Sequence, residues 1–345
     1  MKQYLIIILA LSCVPLSSTT AQKSVEFSVS PSVGHSFGKT EYILEVQSAF
    51  VDEDDEIITD EFGNTVIFHV KSQLEYPLDV VMGGVNLRIN SADDPDLWSV
   101  EAGIFTSLSD PGGTMKDSDW DGASGIYDFT QWSYTESSAK MNSFMLDIRG
   151  TRRLFRPEKF SVSLVAGLRY HRIEQELYGV NGWQRPFNDA ILAYDEPQFF
   201  AVLQDTLVLY YKVKYLMPQI GLRSRIDLRS DLTVGLETIL SPVWFSDVDD
   251  HILRNKLSKA DGWGLGIIGA FNARKRFGSS GSQAAPYIDL FAEVTTISAS
   301  GDQTQNWYGD DPFTPDDDTD IVFPGIPHDI NATLFHAGIR LGLIF

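Results

Sequence analysis

The sequence is poor in cysteine, in positive charge and in long apolar runs. Its single cysteine, Cys13, lies in an N-terminal apolar stretch. The rest of the chain can therefore form neither a disulfide nor a cysteine metal site, which excludes zinc fingers and cysteine catalysis. Only 27 Lys plus Arg stand against 47 Asp plus Glu, a formal net charge of -20. That balance excludes a partner held through its phosphates, such as nucleic acid, and favours cationic ligands. Beyond the N-terminal stretch no window of about eighteen uncharged apolar residues occurs, so no transmembrane helix is expected. No internal repeat and no linker divides the chain.

What is present starts with Lys2, an apolar run from Tyr4 to Leu11 and small residues ending Thr19-Thr20-Ala21. This has the form of a secretory signal peptide over residues 1–21, leaving 22–345 as one exported domain. With 43% hydrophobic and 12% aromatic residues, that domain is not disordered. An exported chain with no apolar helix can still cross a membrane as a β-barrel.

Alternation decides the class. Thr333, Phe335, Ala337, Ile339, Leu341, Leu343 and Phe345 share one face, and His336, Gly338, Arg340 and Gly342 share the other. One apolar and one polar or small face suits a strand with lipid outside and a polar lumen inside. The pattern recurs with Phe160, Val162 and Leu164 against Ser161 and Ser163, and with Leu232, Leu236 and Leu240 against Glu237 and Ser241. Strands are expected near 24–46, 67–91, 97–107, 141–153, 159–178, 207–229, 231–248, 262–275, 285–299 and 329–345. Connections after the odd strands are long and those after the even strands shorter. The expected fold is all-β, a ten-stranded antiparallel transmembrane β-barrel with long extracellular loops.

Two acidic clusters fall on the long-loop side: Asp117-Ser118-Asp119-Trp120-Asp121-Gly122 and Asp247-Val248-Asp249-Asp250-His251. In the seventh strand even positions face lipid, so Asp247, Asp249 and His251 continue the inward face of Glu237 and Ser241. An aspartate two residues before a histidine can accept its N–H and leave the other ring nitrogen as a base toward water. Asp117 and Asp119 could share that water or a proton, because two close carboxylates do not both ionise readily. The Pro111-Gly112-Gly113 segment interrupts strand parity, so the direction of this pair does not follow from spacing. An alternative is calcium: Asp117, Asp119, Asp121 and Gly122, with Asp128, match the start and end of an EF-hand-type loop, although no helices flank it. The third acidic run, 315–320, has the composition of a solvated outer loop.

At these clusters the sequence resembles the omptins, the ten-stranded outer-membrane proteases of Gram-negative bacteria. The resemblance rests on Gly38-Lys39-Thr40, Ser72-Gln73-Leu74, Gly112 through Trp120, Met217-Pro218-Gln219-Ile220-Gly221-Leu222 and Ser246 through His251. It implies that Asp249 and His251 form the family's dyad, that Asp117 and Asp119 form its aspartate pair, and that an activated water attacks with no acyl-enzyme. It also implies that Asp247 recognises a basic substrate side chain, although the family's second acidic residue there aligns with Tyr42, one position from Glu41. A one-residue offset in a strand points to the opposite face. Lipopolysaccharide, as an activating lipid, would meet Arg172, Lys214 and Lys259 on the outer wall. Arg172 and Lys214 fall on the lipid-facing side, where charge is favourable only above the hydrocarbon and against anionic headgroups.

The expectation is thus an endopeptidase at the outward mouth of an outer-membrane barrel. It would act on peptides or proteins, basic ones in particular, need no metal, and use lipopolysaccharide as its lipid partner. A non-enzymatic adhesin or receptor with calcium- or cation-binding acidic loops is the alternative. A passive pore ranks third, because ten strands leave little lumen once side chains fill it.

Overall fold

The computed structural model describes residues 25–49, 57–59, 62–92, 94, 96–188, 190–278, 284–308 and 321–345. The segment 1–21, expected to be a signal peptide, and the acidic run 315–320 lie outside the described residues. The strands are β1 (Val25–Ala49), β2 (Ile67–Pro77), β3 (Val80–Ser91), β4 (Trp98–Ser107), β5 (Thr114–Ala123), β6 (Tyr127–Phe155), β7 (Phe160–Gln184), β8 (Phe187–Asn188), β9 (Ala193–Tyr194), β10 (Gln198–Arg229), β11 (Leu232–His251), β12 (Lys256–Arg276), β13 (Ala285–Trp307) and β14 (Ile321–Ile344). All but the β8-β9 hairpin form one antiparallel sheet, and β14 pairs with β1, which closes it. β2 and β3 pair with β1 in one continuous register, and β4 and β5 both pair with β6. Each of these pairs is one strand of a ring of ten.

The outer face carries the apolar half of the alternation. Leu164, Leu168, Ile220, Leu222, Leu236 and Leu240 are all exposed. Trp263, 71% exposed, stands opposite Trp244 across β11 and β12. A soluble protein rarely exposes so continuous an apolar band, whereas a barrel in lipid requires one, flanked by aromatic girdles. On β11 the band runs from Leu236 to Trp244, close to the about 9–11 residues that take a tilted strand across a bilayer.

Above Trp244, on the side away from the termini, the strands continue further than alternation predicts. β6 begins at Tyr127 rather than near residue 141, β7 runs to Gln184 rather than 178, and β13 to Trp307 rather than 299. Two expected long loops are mostly ladder: β5 turns into β6 through Ser124–Ile126, with Gly125 at φ 75°, and β11 into β12 through a 3-10 turn at Ile252–Arg254. The reason is solvent. Above the hydrocarbon both faces can be polar, so the apolar period disappears while backbone pairing goes on.

The inside of the barrel is divided, which corrects the expectation of a narrow polar lumen. The half away from the termini is filled by an apolar and aromatic core including Tyr42, Leu74, Tyr76, Ile173, Tyr211, Tyr215 and Ile330. At bilayer depth the filling is ionic. Arg149 donates to Asp147 at 2.6 Å, to Glu237 at 2.6 Å and to Glu293 at 3.2 Å, while Arg169 holds Asp147 and Glu293 from the other side. Removing one member of a buried ion network typically costs about 3–5 kcal/mol, because the charges left behind remain desolvated. Arg149→Met is expected to lower the unfolding free energy by about that much in a urea titration in lipid vesicles. Arg229→Ala, which breaks an exposed 3.9 Å contact with Asp231, should change it by less than about 1 kcal/mol.

Candidate active site

Asp247, Asp249 and His251 lie above Trp244 on the inward odd face of β11, as parity predicts, and all three are buried. His251 Nε2 lies 2.9 Å from Asp249 Oδ2, and the Tyr42 hydroxyl donates to the same oxygen from β1 on the opposite wall. A proton on Nε2 leaves Nδ1 with the lone pair. Asp249 is thus held by two donors on different strands, which fixes the imidazole it orients.

Asp117 and Asp119 sit on a strand, and the structure supplies the parity that spacing does not. Between the pairs Met82–Ser107 and Glu75–Lys116, seven steps along the second barrel strand match nine along the third. The excursion Leu108–Gly113 therefore inserts two residues, an even number, and β5 resumes with its odd residues inward. Met115 and Asp119 are buried, and Asp117 faces the same way. Asp117 and His251 come together as walls of one cleft of 210 Å³ at the barrel mouth. Asp117 Oδ1 and Asp249 Oδ1 are both buried and have no hydrogen-bond partner among the described residues. That leaves acceptor capacity for a reacting water.

The electrostatics differ on the two sides. Burial pushes the Asp117 carboxyl up, and the Asp119 charge adds to this, against Arg254 and Lys256, to about 8. Burial also opposes ionisation of Asp249, but His251 and Lys256 outweigh it and hold this carboxyl below the ordinary range. Burial lowers His251, with Asp249 pulling the other way, so the ring is neutral at neutral pH. A neutral imidazole beside an ionised aspartate, facing a carboxyl pair that retains a proton, is an acid-base arrangement. Lys256, which pairs with His251 in register and whose charge acts on Asp249, Asp117 and Asp119, is a site residue that sequence reasoning missed.

Asp247 has a partner that sequence reasoning also missed. Its Oδ2 is 2.9 Å from Nε2 of His328 on β14. His328 is 1% exposed, with its ring 5.0 Å from Tyr42 and 5.9 Å from Phe245. It falls one residue before the strand start expected at 329, on the inward even face that also carries His336. Extending the alternation by one residue would have found it. Glu41 behaves as the offset argument requires: Tyr42 points in, while Glu41 pairs with Lys39 at 2.8 Å on the other face.

On the outer wall, Arg172 and Lys214 are direct cross-strand partners, one pair above Tyr170 and Leu216 and thus just beyond the apolar band. Lys259 also faces outward, opposite Val248. Like charges placed directly opposite destabilise a sheet unless an anion lies against them; Glu174, 3.8 Å from Arg172, supplies part of that compensation.

Asp117, Asp119 and Asp121 follow one another along a straight ladder opposite Leu74, Ser72 and Val70. An EF-hand loop instead wraps its ligands around one ion. Asp121 accepts the Tyr194 hydroxyl at 2.5 Å, and no group of three or more His, Cys, Asp or Glu is placed to hold a metal among the described residues. Asp117, Asp119 and Asp121 therefore lack the wrapped arrangement of an EF-hand loop.

No curated protein sequence matches the chain. The crystal structure of the outer membrane protease OmpT from Escherichia coli matches with a TM-score of 0.67 at 17% identity, over 95% of this chain and 100% of that one; at that identity the likeness shows the fold. The omptin family model matches residues 63–264, a stretch that contains the aspartate pair, the dyad and the outer-wall cations. With more than half of its length matched, the chain belongs to the omptin family of outer-membrane proteases.

Proposed function

We propose that this omptin hydrolyses peptide bonds at the outward mouth of its barrel, with His251 Nδ1 as the general base on a water. Asp249 orients the ring and stabilises the imidazolium that forms, and Tyr42 holds Asp249. The Asp117–Asp119 pair keeps a proton near neutral pH, which it gives to the developing oxyanion and takes back as the intermediate collapses, while the His251 imidazolium passes the proton it took from the water to the leaving amine. No residue forms a covalent bond to the substrate. The observation that carries this proposal is the shared cleft: a buried, aspartate-paired histidine and a carboxyl that retains its proton line the same 210 Å³ space. A net charge of -20 draws cationic peptides toward that mouth over long range. Incubating the refolded barrel with lipopolysaccharide and a mixed peptide library, then mapping cut sites by mass spectrometry, tests it. The expected result is internal cleavage that chelators leave intact.

Lipopolysaccharide is the proposed lipid partner. Arg172, Lys214 and Lys259 lie just beyond the apolar band, where an anionic headgroup would relieve the Arg172–Lys214 repulsion that Glu174 compensates only in part. Replacing Arg172 and Lys214 by Ala is expected to raise the lipopolysaccharide concentration needed for half-maximal activity about tenfold while the barrel stays folded. An unchanged titration curve rejects the role.

A further inference from the structure

From bilayer depth to the end that carries the chain termini, the lumen encloses a cavity of 140 Å³ with an ionic wall. Eight arginines and six carboxylates line it, a local excess of positive charge in a chain whose formal net charge is -20. Three of the carboxylates, Asp147, Glu237 and Glu293, surround Arg149 and Arg169. Toward the termini the balance reverses, and the other six arginines face only Asp96, Glu101 and Asp289 on the cavity wall.

Two of those six are well compensated. Arg223 holds Glu101 through two nitrogens at 2.6 and 3.1 Å, and Arg225 lies between Asp96 and Asp227. The other four share what remains. Arg274, Asp289 and Arg340 stand directly opposite one another across β12, β13 and β14, so one carboxylate serves two guanidiniums, at 3.1 and 3.2 Å. Arg276, one inward step further along β12, forms no ion pair among the described residues, and the charges of Arg225 and Arg274 act against it. Arg88 on β3 shares Glu101 with Arg223, at 3.5 Å.

Two of the guanidiniums are held in fixed planes. Arg274 stacks over the Tyr287 ring at 4.5 Å and Arg340 over Phe291 at 4.2 Å. Each gives one terminal nitrogen to Asp289, which leaves the other for a further acceptor. Excess charge in a site of low dielectric is costly unless it is paired, and planar guanidinium forks match the oxygens of a phosphate group. An excess of two arginines over carboxylates suits a phosphate group, which carries roughly -1.5 to -2 near neutral pH. The volume has room for several water-sized groups at about 30 Å³ each. The strands around it are paired without a break, so the way in is from solution at the terminal end and not sideways from lipid.

We propose that this cavity binds a small multivalent oxyanion of the phosphate class, held by Arg274 and Arg340 with Arg276 and Arg88 beside them. The site lies at the opposite end of the barrel from the Asp249–His251 dyad and does not depend on the hydrolytic role.

Inorganic phosphate is the probe. Isothermal titration calorimetry of refolded full-length protein in an uncharged, phosphate-free detergent, with ionic strength held constant by chloride, should show saturable binding of a single phosphate that sulfate competes away. Arg276→Gln breaks no ion pair and Arg340→Gln leaves Asp289 to Arg274; each should weaken phosphate binding about tenfold or more, as loss of a charge-assisted hydrogen bond does. Arg276→Gln keeps the test decisive should Arg340→Gln fail to fold. Arg229→Gln, an exposed cation at the same end and outside the cavity, should leave the affinity unchanged. Repeating the titration in phosphatidylcholine vesicles separates a soluble anion from a lipid headgroup: the same affinity supports the soluble anion, whereas phosphate binding lost there assigns the arginines to the headgroup and overturns the lumenal site. No saturable binding, or equal affinities in wild type and Arg276→Gln, also overturns it.

Discussion

His251→Ala is expected to reduce kcat/KM by about 10²- to 10⁴-fold, the usual contribution of a positioned acid-base group, equivalent to about 3–5 kcal/mol of transition-state stabilisation. The side chain is buried and bonded to Asp249 at 2.9 Å, so its loss removes both the proton acceptor and the partner of an ionised carboxylate. Asp249→Asn should be about as damaging, because an amide keeps the shape but not the charge that stabilises the imidazolium. The control is Asp121→Ala. Asp121 lies on the same face as Asp117 and Asp119 and bonds to Tyr194, outside the acid-base arrangement, and its removal should cost less than about tenfold. An inactive Asp121→Ala with an active His251→Ala, together with inhibition by chelators, would sink the hydrolytic mechanism and restore the calcium alternative.

The parts of this arrangement that were legible in the sequence are those where lipid enforces a period of two. On β11 the even-outward assignment from Leu232, Leu236 and Leu240 carries directly up to Asp247, Asp249 and His251, and the structure places all three inward. Strand ends on the terminal side agree closely with expectation, because the short turns there begin where the apolar period stops. Strand ends on the mouth side do not, because Thr130, Tyr134 and Glu136 of β6 are paired in the ladder with water available to both faces. Cross-barrel contacts were the least legible. Tyr42 to Asp249 and His328 to Asp247 join residues more than eighty positions apart, and nothing in local spacing encodes which inward residues meet across a lumen. The excursion Leu108–Gly113 is intermediate: Pro111-Gly112-Gly113 announces it, but its even length appears only in the pairing of β5 with β2.

The pH profile of kcat/KM is expected to be a bell with its alkaline limb near 8, and two substitutions on β5 should move that limb. On the acid side the base must be neutral. Burial lowers His251 beneath its ordinary value of 6.5, with Asp249 offsetting part of the shift, so activity should fall only as pH drops through a value below 6.5. On the alkaline side the required form is the protonated carboxyl. Burial and the Asp119 charge raise Asp117 to about 8, so the proton is present below that pH and lost above it. Asp117→Asn removes the group that titrates while keeping a hydrogen-bond donor; it should cost about 10²-fold or more at the optimum, as for loss of a general acid, and erase the alkaline limb. Asp119→Asn leaves Asp117 buried but deletes the neighbouring charge, so the Asp117 carboxyl should ionise more readily and the limb should shift to lower pH, opposite to the effect of deeper burial. The two shifts together separate a proton-holding pair from a pair that merely binds substrate, since a binding carboxylate must be ionised and would give activity that rises through pH 8. An alkaline limb unmoved in both variants would remove Asp117 from the chemistry and leave the Asp249–His251 dyad to act alone.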